Sequence, residues 1–569
     1  MPANSKSPIL DKLNPDQEKA VTHWGSPLLI LAGAGSGKTR ALTHRAAWLI
    51  IEKDFAPEQL VLLTFTNKAA GAMKERILKL LASQMVTGSP YAGTFHSFSA
   101  RVLRESGKYS DIPPGFVIYD TNDQIDIVKE VFQILDIDPK RFSPQSALSA
   151  ISNAKNELID PAEYSSLARG EWQTRAALVY TEYQKFLKKN EALDFDDLLF
   201  ETVKLFKTVP EVLKKYQTRY KYVLVDEWQD TNKAQYAITK FLVKEHEGLT
   251  CVGDAAQSVY SWRGADFRNL TYLEKDFPNL TTVNLEQNYR STQKILDAAY
   301  SVISRNKSHP ILRLWTENAG GERIKLYQAR SELDEASFVA REIQEQTRKG
   351  VSFSEMAVLY RTNAQSRVVE EALLHEGIPY ILVGAVRFYE RKEIKDVLAY
   401  LRLLTAPGDT VARKRIEKLG KGRMQRFDSF VENEYGEKFA DGTSLEVLDK
   451  VLQVTGLLDL YDQENAEDLN RLENIKELRS VATEFAKLPD FLEQVILAES
   501  VQNSKGTSQF SGITRGDAVT LTTDQVGAVT LMTAHAAKGL EFTAVFVVGL
   551  EEGLFPHSRA LMDAEELEE

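Results

Sequence analysis

The sequence predicts an α/β protein built from two parallel-sheet domains, each carrying a mainly helical insertion. Three observations predict it. Short apolar runs are each followed by a polar or Gly-rich turn and then a helix-spaced pattern, the alternation of parallel sheets. This alternation occurs early, returns at Tyr222–Val225 and Leu249–Val252, and occurs again beyond Thr281. Between these regions lie long stretches dominated by helical periodicity.

Taken in order, Pro27–Leu31 is an apolar run leading through a Gly-rich turn into a helix. Gln59–Phe65 repeats the unit, with Lys68–Leu80 at helical spacing. Residues 1–105 and 193–283 form the first α/β domain, and 106–192 its helical insertion. The second α/β domain takes 284–387 and 526–569, with apolar segments at Ile324–Tyr327, Met356–Tyr360, Ala528–Met532 and Ala544–Val548. Residues 388–525 form its insertion, which ends in the Ser-, Thr- and Gly-rich stretch Gln502–Gln525. At 569 residues with 43% hydrophobic content, the chain has ample material for several cores. It contains no apolar run of about 18 residues that could span a membrane. Its single cysteine, Cys251, excludes an internal disulfide framework and reads as a core residue. These features point to the cytoplasm. The net charge of −11 excludes a uniformly basic nucleic-acid binder and by itself favours a metabolic enzyme, although binding depends on where charge sits.

AGAGSGKT, Ala32–Thr39, lies between an apolar run and a helical pattern, the context a phosphate-binding loop requires. Gly33, Gly35 and Gly37 let the backbone wrap an anion, with Ala32, Ala34 and Ser36 completing the loop. Lys38 can reach the β- and γ-phosphates of a nucleotide, and the Thr39 hydroxyl can hold Mg²⁺. Tyr222–Val225 ends in Asp226-Glu227. An acid at the end of a neighbouring strand can bind Mg²⁺ through its water shell, and the next can activate the attacking water. Alone, the acidic pair would read as a helix cap; beside a P-loop, it reads as hydrolytic.

Further motifs accompany these in order. They are LNPDQEKAV (Leu13–Val21), TFTNKAAGAMKER (Thr64–Arg76), GTFHSF (Gly93–Phe98), LDFDDLL (Leu193–Leu199), VDEWQDTN (Val225–Asn232) and VGDAAQSVYSWRGA (Val252–Ala265). LEQNYRST (Leu285–Thr292), VGAVRFYERKEIKD (Val383–Asp396) and TAHAAKGLEF (Thr533–Phe542) follow. The set resembles the UvrD/PcrA/Rep family of superfamily 1A DNA helicases over nearly the whole chain. That resemblance implies two RecA-like motor domains, ATP and Mg²⁺ as cofactors, and 3′-to-5′ movement on single-stranded DNA. It implies action at single/double-strand junctions, in the company of repair or replication proteins, within the nucleoid.

Residue by residue, the resemblance implies that Gln17 contacts the adenine edge, Tyr289 stacks on the base, and Arg40 and Glu541 contact the nucleotide. Gln257 would sense the γ-phosphate, and Arg290 would contact it as an arginine finger does. Phe65, Tyr260 and Trp262 would stack on DNA bases, which requires no sequence code. Asn67, His96, Arg263, Arg361, Asn363, Lys538 and His557 would contact the DNA backbone or sugar, with His535 a weaker candidate.

The sequence departs from the family pattern at several positions. Trp228 replaces the usual Tyr or Phe, Ala255-Ala256 a more polar pair, Ala385 a Gly, and Ala534 a bulkier apolar residue. The second insertion is short and carries RIEKLGKGRMQRF (Arg415–Phe427) in place of a Pro-Arg-Gly-Ile-Gly-like turn. The family continues into an arginine-bearing motif VI, whereas this sequence ends at ALMDAEELEE. That predicts a truncated chain, or a second chain supplying the motif, and turnover reduced by about 10³ in its absence. Other readings are a nucleotide-gated single-stranded DNA-binding protein with little turnover, a helicase–nuclease subunit, and a metabolic P-loop kinase. The aromatic-basic segment YSWRGA opposes the kinase, and the chain has no room for a nuclease domain.

Overall fold

The computed structural model describes residues 9–82, 86–139, 141–259, 266, 268–383, 388–439, 442–462, 465–483, 485–492, 495, 527–558 and 560–568. The described residues form two compact units, one running to Ile324 and including Glu568, the other spanning Lys325–Leu567.

The first unit is organised by a six-stranded sheet in the order β3-β2-β6-β7-β1-β8. Its strands are β1 (Leu28–Ala32), β2 (Leu60–Thr64), β3 (Tyr91–Thr94), β6 (Tyr222–Val225), β7 (Leu249–Gly253) and β8 (Thr281–Leu285). All are parallel. The short pair β4 (Val117–Tyr119) and β5 (Ala192–Asp194) forms a separate parallel ribbon.

Strand alternation explains how both faces are covered. Leu29, Val61, Leu63, Val223, Val225 and Cys251 enter one core. Leu28, Ile30, Leu60, Leu62, Leu224 and Val252 enter the other. A parallel sheet buried on both sides needs apolar residues at successive positions, so its strands read as continuous apolar runs. The second face is covered by α1 (Pro15–Thr22), α2 (Lys38–Glu52) and α3 (Asn67–Ala82). The first is covered chiefly by α4 (Phe95–Ser106), α9 (Phe195–Thr208) and α11 (Lys233–Val243). Cys251 is buried in this core as expected, and burial raises its thiol pKa.

The helical insertion contributes α5 (Thr121–Ile134), α6 (Pro144–Asn156), α7 (Pro161–Leu167) and α8 (Gly170–Lys189), which share their own core around Val128, Ile151, Tyr180 and Tyr183. Helices α10 (Pro210–Arg219), α12 (Asn269–Asp276) and α13 (Gln293–Ile303) complete the first unit.

In the second unit, β9 (Met356–Tyr360), β10 (Tyr380–Leu382), β11 (Val529–Thr533) and β12 (Ala544–Val547) form a parallel sheet in the order β10-β11-β9-β12. Helices α14 (Glu332–Arg348) and α15 (Ser366–His375) pack on it. A separate core is built from Phe388–Val495 and includes α16 (Lys392–Thr405), α18 (Lys421–Phe430), α19 (Ser444–Thr455) and α20 (Ala466–Ala482), with α17 (Thr410–Glu417) between the first two. Among the described residues, no helix is long and apolar enough to cross a membrane.

Three details differ from the sequence reading. Strand β6 is not adjacent to β1, because β7 lies between them. Strand β8 pairs with β1 in the first sheet. Ile324–Tyr327 forms no strand.

Candidate nucleotide and nucleic-acid site

The carboxyl ends of parallel strands are where α/β sheets bind ligands, and most of the expected site residues of the first unit lie there. Across the sheet they run in spatial order. His96 follows β3, Phe65 and Asn67 follow β2, and Asp226-Glu227 follow β6. Gln257 follows β7, the Gly-rich loop follows β1, and Tyr289-Arg290 follow β8.

The loop has the conformation an anion cradle needs. Gly35 and Gly37 have φ of 69° and 87°, and Gly37 leads directly into α2. A Cβ on Gly35 would lie 2.7 Å from Asn288 Nδ2 and 2.8 Å from Arg290 Cβ, so a side chain has no room there. The loop is braced from outside. Asn288 Nδ2 donates to Ala34 O at 2.6 Å, and the Tyr289 amide donates to Gly35 O at 2.9 Å. Ser36 turns inward, its hydroxyl donating to Gly33 O at 2.8 Å.

The reactive side chains converge. Lys38 Nζ donates to Gln257 Oε1 at 2.9 Å and lies 3.6 Å from Glu227 Oε2. Gln257 Nε2 donates to Asp254 Oδ2 at 2.6 Å. Glu227, with φ of 51°, accepts from Gln229 Nε2 at 2.6 Å, and Gln229 Oε1 accepts from the Asp254 amide at 3.0 Å. Gln229 thus ties the acid after β6 to the loop after β7, across the strand ends. The left-handed backbone at Glu227 is uncommon for a non-glycine residue. It accompanies a turn, Trp228–Asp230, whose residues are all buried. Trp228 is buried, and its indole Nε1 donates to Asn269 O at 3.1 Å.

Beside the loop, Asn14 Nδ2 donates to the Tyr289 hydroxyl at 2.7 Å and to Gln287 Oε1 at 3.0 Å. The Tyr289 side chain is otherwise exposed, offering a ring face for stacking. Gln17 is buried, donates to Ser36 O at 2.9 Å and accepts from the Asn14 amide at 3.3 Å. Both ends of its amide are engaged, so it braces the loop. Arg40 donates to Lys12 O at 2.7 Å.

Asn14, Gln229, Asp254 and Asn288 were not singled out from the sequence. Asn14 could have been, since Asn-x-x-Gln is a capping-box spacing and both reciprocal bonds form.

Among the DNA candidates, Asn67 is exposed and Phe65 is half-buried. His96 packs edge-to-face against Phe195, and burial pushes its pKa down to about 4, so it is a neutral hydrogen-bonding group near neutral pH. Tyr260, Trp262, Arg263 and Ala385 lie outside the described residues. In the second unit, Arg361 and Asn363 follow β9, while His535, Lys538 and Glu541 follow its neighbour β11. His557 Nε2 lies 2.9 Å from Glu473 Oε1.

A nucleoside triphosphate with Mg²⁺ fits the donor set of the first unit. The loop is a cradle that a Cβ would fill, and Asp226 is a buried carboxylate at the end of β6. The described residues contain no cluster of three or more His, Cys, Asp or Glu side chains able to hold a metal.

A parallel sheet with a glycine loop after one strand, and an acid pair and a glutamine after two others, defines a P-loop motor fold. The UvrD/REP helicase N-terminal domain model matches residues 13–278, and the UvrD-like helicase C-terminal domain model matches 283–441 and 421–569. The chain belongs to the UvrD/REP helicase family. It is 42% identical over 599 residues to the ATP-dependent DNA helicase PcrA of Staphylococcus aureus strain Mu50, a match covering 98% of this chain and 80% of that protein. The PcrA proteins of S. aureus strain MRSA252 and S. epidermidis strain ATCC 12228 are 43% and 41% identical, over 97% and 99% of this chain and 79% and 81% of theirs.

Proposed function

We propose that this chain is an ATP-dependent DNA helicase that moves 3′ to 5′ on single-stranded DNA and opens duplex at single/double-strand junctions during repair or replication. The observation that carries the reading is the convergence at Lys38. Its ammonium lies 2.9 Å from Gln257 and 3.6 Å from Glu227, so loop lysine, acid and glutamine share one point. Family membership and identity to PcrA support helicase activity over a nucleotide-gated binding protein.

In this reading, Lys38 exchanges its protein partners for the β- and γ-phosphate oxygens. The amides of Gly33–Thr39 hold the remaining phosphate charge. Thr39 and Asp226 would hold Mg²⁺, which would supply positive charge beside the phosphoryl group being transferred. Glu227 orients the attacking water and takes its proton. Arg290 stabilises the γ-phosphate, with Arg40 as a further contact and Tyr289 stacking on the base; in the second unit, Glu541 is the candidate nucleotide contact. Gln257 changes partner when phosphate arrives and is lost, which makes the loop after β7 sensitive to the state of the nucleotide.

That loop leads into the segment bearing Tyr260, Trp262 and Arg263. Phe65 gives a stacking face, and Asn67 and neutral His96 give hydrogen bonds to the strand. In the second unit, Arg361, Asn363, Lys538 and His557 are the candidate strand contacts, His557 on release of Glu473. Bound nucleotide would shift the balance between states that hold and release the strand.

The test is unwinding of a duplex carrying a single-stranded tail. With ATP and Mg²⁺, a 3′-tailed duplex is expected to be opened and a 5′-tailed one left intact. The reverse preference would overturn the polarity, and no opening of either would overturn the helicase reading.

A further inference from the structure

The end of α6 makes contacts that packing alone does not require. Lys155 has a fully buried side chain, its Nζ 2.6 Å from Asp194 Oδ2 and 2.8 Å from Asp197 Oδ1. Tyr183 donates to the same Asp194 oxygen at 2.9 Å, and Gln184 donates to Asp197 Oδ1 at 3.1 Å. Asp194 also caps α9 by accepting from the Asp197 amide at 2.7 Å. The next residue faces two ways. Asn156 Nδ2 donates to Asp196 Oδ1 at 3.3 Å, and Asn156 Oδ1 accepts from Asn232 Nδ2 at 2.6 Å.

Asn232 is the cap of α11 and lies on the same short segment as Glu227. That segment is stiff. The Asp230 amide donates to Glu227 O at 2.9 Å, Thr231 Oγ1 donates to Trp228 O at 2.6 Å, and Asn269 Nδ2 donates to Thr231 O at 2.7 Å. A shift of Glu227 is therefore carried to Asn232 with little slack, and from Asn232 to Asn156 through one short hydrogen bond. On the far side, Lys155 fixes α6 to the start of α9, where the chain leaves the insertion.

A buried lysine carries a large desolvation penalty, and apolar replacements of buried ion pairs are often no less stable. Such a cluster fixes geometry more than it stabilises. We propose that the Lys155–Asn156 end of α6 is the joint through which nucleotide bound at the Gly-rich loop acts on the helical insertion, with Asn156 as a positioning residue. The inference rests on the proposed nucleotide site but does not depend on helicase activity or polarity.

The test is amide hydrogen exchange of the full chain, with and without Mg²⁺ and the non-hydrolysable analogue AMP-PNP. In the wild type, AMP-PNP should slow exchange at 33–40 and change it about fivefold or more in 144–156, the lower end of usual coupling between sites. In Asn156→Ala, the change at 33–40 should persist and the change in 144–156 should be lost. A purely structural role would alter exchange in 144–156 equally with and without nucleotide. Slowing at 33–40 with no change in 144–156 of the wild type overturns the joint and leaves the nucleotide site standing. Retention of the 144–156 change in Asn156→Ala also overturns it. No slowing at 33–40 in the wild type overturns the nucleotide site and the joint together. If Asn156→Ala does not fold, Asn232→Ser breaks the same bond from the other side while keeping a capping hydroxyl for α11, and the same outcomes decide.

Discussion

Gly35→Ala probes whether the loop is a nucleotide cradle. Gly35 has φ of 69°, a region that costs an L-residue about 1–2 kcal/mol. The added methyl would lie 2.7 Å from Asn288 Nδ2 and 2.8 Å from Arg290 Cβ, and such overpacking costs about 1–3 kcal/mol. The loop can escape the clash only by opening. Opening sacrifices the bonds from Asn288 Nδ2 to Ala34 O (2.6 Å) and from the Tyr289 amide to Gly35 O (2.9 Å). Each such bond contributes about 1 kcal/mol, so relaxation limits the loss to about 2 kcal/mol. The closed loop is the state that binds phosphate, so affinity should fall by about 30-fold, at 1.4 kcal/mol per decade. Titration of a fluorescent ATP analogue measures this directly, with thermal melting as the control for folding. A well-folded Gly35→Ala chain that binds the analogue within threefold of wild type would refute the cradle.

Three further outcomes follow. In Asp196, burial and then neighbouring Asp194 raise the carboxyl pKa to about 6, from 3.8. The folded chain therefore keeps a proton that the unfolded chain has lost, and stability should fall as pH rises between about 4 and 6. Asp196→Asn should flatten that part of a melting-temperature profile, and an unchanged slope would contradict it. Arg45 is buried and donates to Ala20 O, Val21 O and His23 O and to the hydroxyls of Thr250 and Tyr222. Arg45→Met should cost about 3 kcal/mol in urea unfolding by stranding these acceptors, and a loss under about 1 kcal/mol would contradict the network. Gln229→Ala removes the link between Glu227 and the Asp254 amide, and should lower kcat for ATP about tenfold or more with little change in KM. A change confined to KM would show that Gln229 acts on binding instead.

The loop and the acid pair were legible because their chemistry is local. A glycine loop between apolar run and helix needs only backbone rules, and Asp226-Glu227 close the apolar run that becomes β6. Strand order was not legible. Every central strand of a doubly covered sheet is an apolar run, so nothing in Tyr222–Val225 says that β7 will separate it from β1. For the same reason the pattern beyond Thr281 read as fresh α/β alternation with a domain boundary after residue 283, although Thr281–Leu285 pairs along its length with β1. Ile324–Tyr327 alternates like a strand, yet no strand forms there. The bracing amides of Asn288 and Asn156 were hidden because a lone asparagine reads as a cap or turn residue until its distant partner is known. Trp228 shows the converse. It read as a small departure from the family pattern, and the structure gives its indole N–H a buried acceptor at Asn269 O.

The central claim is that Lys38, Glu227 and Gln257 form an ATP-hydrolysing site that responds to DNA. Its most direct test is steady-state ATP hydrolysis by the wild type and Glu227→Gln, with and without single-stranded DNA. The account predicts hydrolysis stimulated at least tenfold by DNA, and a fall of about 10²–10⁴ in kcat for Glu227→Gln with nucleotide still bound. Equal rates with and without DNA, or a Glu227→Gln chain as active as the wild type, would contradict it.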